Sequence, residues 1–132
     1  MVGPDWSQQY EAVIDGDPFQ ASTPVIKPVM AARLPYDNRR PFTTVMAISN
    51  PEGGTSSVRL IARSLDGQER CNDVRDFGGM AHDAFLIQHR LACTAATAGI
   101  LEVQAEDGAV APLSFIFHDF GPFTTNLPNA LP

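Results

Sequence analysis

The sequence predicts an all-β fold, a single antiparallel β-sandwich, and three observations carry that prediction. Apolar and polar residues alternate with a period of two through most of the chain from residue 42 onward. Turn signals recur roughly every 8–12 residues, the spacing of a sandwich. Eleven prolines and ten glycines among 132 residues break the chain too often for a helical bundle, and no long window carries a helical period.

The elements follow in order. Val25 to Arg33, interrupted by Pro24 and Pro28, reads as an early edge strand, because proline lacks the N–H that a central strand donates. Phe42 to Asn50 places Thr44, Met46 and Ile48 on one face and Val45, Ala47 and Ser49 on the other, and Pro51-Glu52-Gly53-Gly54 ends it. Ser57 to Leu65 alternates Val58, Leu60, Ala62 and Ser64 against Arg59, Ile61 and Arg63. Asp66-Gly67 then turns the chain into a return strand, Gln68 to Val74. Phe77-Gly78-Gly79-Met80 is a second turn region, and His82 to Gln88 a further strand. Leu91 to Ala98 is rich in small residues and fits a short helical turn. Ile100 to Ala105 alternates cleanly, Asp107-Gly108 turns, and Leu113, Phe115 and Phe117 share one face of the following strand. Phe123-Thr124-Thr125 is a last extended piece. Phe85, Phe115 and Phe117 are the expected aromatic core.

At 14.3 kDa the chain is long enough for one domain around one core. A net charge of −6 and a pI near 4.8 argue against nucleic acid and anionic membrane surfaces as partners. The longest uncharged stretches, residues 41–51, 91–101 and 120–132, fall well short of the roughly 20 apolar residues of a spanning helix, so no membrane insertion is expected. The sequence opens Met1-Val2-Gly3-Pro4-Asp5, with neither the basic nor the apolar region of a signal peptide. The chain is expected to be cytoplasmic, or a mature or excised piece whose export signal has been removed.

Charge is uneven along the chain. Asp5, Glu11, Asp15 and Asp17 lie within residues 1–20, which hold no Lys or Arg. The same stretch contains Trp6, the single tryptophan, and Tyr10. Residues 1–24 therefore read as an acidic extension ahead of a sandwich domain at 25–132, with Trp6 and Tyr10 as docking anchors.

Six pieces in order carry a resemblance: Leu34-Pro35-Tyr36-Asp37-Asn38 ahead of Phe42 to Pro51; Val58-Arg59-Leu60 through Asp66-Gly67; Gly79 to Phe85; Gly99 to Val103; Leu113 to Phe117; and Gly121 to Pro128. Over about residues 34–128 the chain resembles a family of immunoglobulin-like β-sandwich modules, often repeated, in secreted and cell-surface proteins of environmental bacteria. The resemblance implies a single antiparallel immunoglobulin-like sandwich of seven to nine strands, extracellular or on the cell surface, with structural, adhesive or binding roles. It implies no catalytic residue. The chain departs from the pattern at Cys71 and Cys93, which the family does not generally require.

Cys71 and Cys93, 22 positions apart, would form one disulfide in an exported protein, stabilising it by roughly 3 kcal/mol through loop closure. In a reducing cytosol they would be two thiols. Zinc is disfavoured because no CxxC or CxxH spacing occurs. His82, His89 and His118 have Asp73, Asp76, Asp83 and Asp119 near them in sequence, but His82 and adjacent Asp83 would point to opposite faces of a strand. No G-x-S-x-G elbow is present, and Glu52, Glu69, Glu102 and Glu106 fall in turns or on polar strand faces, where solvated charges belong. The chain is thus read as not an enzyme, with no catalytic, cofactor-binding or metal-ligating residue and no cofactor.

Two binding readings remain. Residues 1–24 would pair as a strand with the sheet edge of a neighbouring copy or surface domain, giving self-assembly into a fibre or surface layer. Alternatively, Tyr36, Asp37, Asn38, Arg39 and Arg40 form a ligand loop, most plausibly for carbohydrate, with an aromatic ring beside polar groups. Arg59 and Arg63 share one strand face, available to acidic partners.

Overall fold

Alternation in the sequence becomes antiparallel pairing in the fold. The computed structural model describes residues 7–14, 17–24, 28–51, 53–79, 82–106, 108–119 and 123–131, with side chains from residue 28 onward. The strands are β1 (Ser7–Ile14), β2 (Asp17–Pro24), β3 (Ala31–Asp37), β4 (Phe42–Ser49), β5 (Ser56–Arg63), β6 (Glu69–Phe77) and β7 (His82–Leu86), then β8 (Ala98–Ala105), β9 (Ala111–His118), β10 (Phe123–Asn126) and β11 (Asn129–Ala130). Between β7 and β8 lie one helical turn, α1 (Ile87–Arg90), and a 3-10 turn, Ala92–Thr94.

Nine of these strands form two antiparallel sheets, ordered β10-β9-β4-β7 and β11-β3-β8-β5-β6. That is the predicted all-β sandwich, within the predicted number of strands. β1 and β2 stand apart as a two-stranded sheet, paired from Ser7↔Pro24 to Ile14↔Asp17.

The core follows from the period of two. β3 buries Ala32, Leu34 and Tyr36 and turns Arg33 and Pro35 outward. Leu34, Tyr36, Leu60, Leu101 and Val103 of the five-stranded sheet meet Met46, Ile48 and Phe85 of the four-stranded sheet, closed by Ile87 and Leu91. Each such side chain, fully buried, contributes about 1.5–3 kcal/mol. Asp66-Gly67 makes the predicted turn: Gly67 adopts a φ of 92°, which glycine reaches without a steric penalty, and its N–H donates to the Ser64 carbonyl at 2.9 Å. A Cβ on Gly99 would lie 2.2 Å from the Arg63 carbonyl and 2.9 Å from the Tyr36 ring, so only glycine lets the strands approach here.

Two expectations need correction. The early strand begins at Ala31 rather than Val25 and runs on to Asp37, because the alternation that fills the core is Ala32-Leu34-Tyr36. It lies between β11 and β8, yet β11 covers only Ala32 and Arg33, so at Pro35 the strand is still the sheet's edge, where proline is tolerated. The expected short turn within 91–98 is the 3-10 segment Ala92–Thr94, but the strand from His82 stops at Leu86 and gives way to a further helical turn at Ile87–Arg90. There Ile87 and Leu91 drop into the core. Arg90 lies 4.5 Å over the Phe85 ring and reaches Asp83 at 3.2 Å, tying α1 back to β7.

Cys71 and Cys93 form a disulfide, with their Cα atoms 6.2 Å apart. It fastens β6, the outer strand of the five-stranded sheet, to the 3-10 turn.

Candidate functional site

Three surfaces carry the residues singled out by the sequence. The first is the turn from β3 to β4. Tyr36, expected in a ligand loop, is a core residue at 2 % exposure: its position in the alternation points it inward, where Arg70 Nη1 donates to its hydroxyl at 2.8 Å. Its ring therefore cannot stack on a sugar, and this member of the expected loop is withdrawn. Asn38 is also buried. Its amide donates to the Thr94 carbonyl at 3.1 Å, and its Oδ1 accepts from the Thr44 N–H at 2.7 Å. Asn38 thus pins the turn to the 3-10 segment.

Asp37 and Arg39 pair at 2.8 Å on the surface. The hydrogen bond from Arg39 holds the Asp37 carboxyl below the ordinary aspartate range, against the opposing effect of partial burial. Arg40, with Phe42, Thr43, Gln88 and Asp119, lines a pocket of about 400 Å³ beside this turn. Phe42, 37 % exposed, packs edge-on against His118 with ring centres 5.5 Å apart. Arg40 and Phe42, rather than Tyr36, therefore face solvent at this turn.

The second surface is the outer face of the five-stranded sheet. Register aligns Arg33, Glu102, Ile61 and Asn72 across four strands, with Gln104, Arg59 and Val74 alongside. Glu102, 4 % exposed, is held by Arg33 at 3.0 Å, by Arg63 at 3.2 Å and by the Gln104 amide. Burial alone would raise its carboxyl. The hydrogen bonds from Arg33, Gln104 and Arg63 outweigh that and leave it below the ordinary glutamate range. The Arg59/Arg63 pair read from the sequence is thus divided: Arg63 is engaged with Glu102, while Arg59 reaches Asn72 at 3.4 Å.

The third surface is the outer face of the four-stranded sheet, where Val45, Ala47, Leu113 and Phe115 form a second buried cluster with Ala84, Leu86 and Phe117 packed against it. Phe123 adds to it, its ring 5.2 Å from Phe117 and 6.1 Å from Phe115. Phe115 and Phe117, read as core, thus belong to this outer cluster, whereas Phe85 is in the core between the sheets.

Trp6 lies outside the described residues. Tyr10 sits in β1 across from Ala21. Among the described residues no three His, Cys, Asp or Glu side chains gather as metal ligands would, and no helix is long and apolar enough to cross a membrane. The hairpin of β1 and β2 was legible but unused. Asp15-Gly16 between two alternating runs is a strong short-range hairpin signal. The second apolar face was equally visible in Val45 and Ala47, which alternate with the core residues Met46 and Ile48 instead of polar ones.

No family model, curated protein or solved structure matches the chain.

Proposed function

We propose that this chain is a non-catalytic structural or adhesive module of the cell surface or extracellular space, assembling with its own copies or neighbouring surface domains through residues 1–24. The observation that carries this reading is that β1 and β2 pair only with each other and join neither sheet of the sandwich: a separate hairpin is an element that one copy can donate to another. Two features support it. The disulfide between Cys71 and Cys93 is chemistry of an oxidising compartment. The long outer strand β6 carries Glu69, Arg70, Asp73, Arg75 and Asp76, charges that discourage indiscriminate edge pairing and leave assembly to a dedicated element.

The resemblance to immunoglobulin-like surface modules implies a two-layer sandwich, and the strand order here departs from the immunoglobulin one. If β3 to β9 are taken as strands A to G in order, three strands lie in the other sheet: β3 beside β8, β6 beside β5 and β9 beside β4, where the immunoglobulin order groups A and D with B and E, and G with F.

Light scattering across a wide concentration range, on the full chain and on a chain shortened by residues 1–24, tests the reading. Assemblies that vanish on shortening are expected. A full chain that stays monomeric at every concentration would overturn it.

A second reading, a carbohydrate- or other ligand-binding module, is favoured by the polar pocket holding Arg40, Phe42, Gln88 and Asp119. It requires saturable glycan binding by calorimetry that is lost in both Arg40→Ala and Phe42→Ala.

A further inference from the structure

We infer that the outer face of the four-stranded sheet is a docking surface whose occupant is the hairpin of β1 and β2, seated there within its own chain and exchanged between copies on assembly. The exchange rests on the self-assembly reading above and gives it an acceptor surface; the docking does not depend on it.

The sheet face supplies the first argument. Val45, Ala47, Leu113 and Phe115 point away from the core, yet they are 4, 0, 0 and 0 % exposed. A sheet with a bare outer face leaves such residues open to water, so a further layer lies on this one. Position supplies the second. Of the two strands of the hairpin, β1 runs close beside β7, the outer strand of that same sheet, and is not paired with it.

The hairpin itself supplies the third argument. Register places Tyr10, Ala12 and Ile14 on the same face as Phe19 and Ala21, with Gln8, Thr23 and Asp17 at the ends. The opposite face is more polar: it takes Ser7, Gln9, Glu11, Gln20 and Ser22, with Val13, Pro18 and Pro24. An isolated two-stranded ribbon is marginal in water and needs a packed face. An apolar hairpin face and an apolar sheet face, brought together at β7, meet that need for both.

The test uses the full chain. Phe19 is replaced by the photoreactive analogue benzoylphenylalanine, and in a control Gln20, on the opposite hairpin face, is replaced instead. Irradiated protein is digested and the cross-linked peptides are mapped, using chains labelled with light and heavy nitrogen mixed before assembly. Position 19 should cross-link to β4, β7 or β9 several-fold more than position 20. Light–heavy products should appear only in the assembled fraction. Cross-links from position 19 to the five-stranded sheet, or none to these three strands, would overturn the docking. Cross-links on this face that stay within one chain at every concentration would leave the docking standing and overturn exchange, and with it self-assembly through the hairpin.

Discussion

The two sheets share one core and differ in what they turn away from it. The five-stranded sheet presents Arg33, Arg59, Arg63, Glu102 and Gln104 around Ile61, whereas the four-stranded sheet presents Val45, Ala47, Leu113, Phe115 and Phe117. The first solves its contact with water by itself: charged heads reach solvent while arginine stems cover the strand beneath, and Ile61 is only 4 % exposed. The second has no such device. An outer face built of aliphatic and aromatic residues must be covered, and the chain carries an amphipathic hairpin next to it.

Phe115→Ala gives the largest expected effect. The ring is fully buried against Phe117 and Phe123, and removing a buried phenylalanine costs about 3–5 kcal/mol. The measurement is the urea unfolding midpoint. A loss below about 1 kcal/mol, the scale of an ordinary surface change, would show that this face is open and would collapse the distinction between the sheets.

Next comes the disulfide. Replacing both Cys71 and Cys93 by Ala should cost about 3 kcal/mol, the value for closing a loop of this length. A reducing agent should lower the unfolding midpoint of the native chain to that of the double variant and leave the variant unchanged. Because the bond holds the outer strand of the five-stranded sheet, hydrogen exchange should quicken most in β6 and least in β4 and β9. Uniform quickening would mean that the two sheets do not open separately.

The sequence made the layers legible where alternation was strict and local. β4, β5, β8 and β9 and the Asp66-Gly67 turn lie where the period of two and the turn residues put them, since backbone pairing and side-chain facing depend on the same repeat. The disulfide was legible because two cysteines at strand ends have few other uses in an oxidising compartment. Tyr36 misled the reading because its neighbours Asp37, Asn38 and Arg39 are turn residues. One position decides between core and surface here, and local composition does not set that parity. The covered outer face was harder for a different reason. Apolar residues on both faces of β4 say that something lies on each side, and only the spatial neighbourhood of β7 points to what.

Glu102→Gln should have a smaller effect, about 1–2 kcal/mol. The substitution keeps the shape of the side chain and weakens charge-assisted bonds to Arg33 and Arg63, and Arg33 is half exposed, so solvent screens part of the loss.

The smallest effect separates the faces by chemistry. Glu102 titrates lower in the folded chain than in the unfolded one. Its contribution is therefore complete above the unfolded value, near pH 4.3, shrinks as the pH falls through that value, and is gone below the folded one. Asp37 and Asp66 are lowered as well, so the acid limb of the native chain alone does not isolate Glu102. The difference between native chain and Glu102→Gln does, because the other carboxylates cancel. Measured by urea unfolding from neutral pH down to about pH 3, that difference should narrow towards zero. The loss in Phe115→Ala should stay constant across the same range, since Val45, Ala47, Leu113 and Phe115 carry no proton to exchange. If both differences narrow together, a titrating group lies against the apolar face, and Asp17, at one end of the apolar hairpin face, is the first residue to replace.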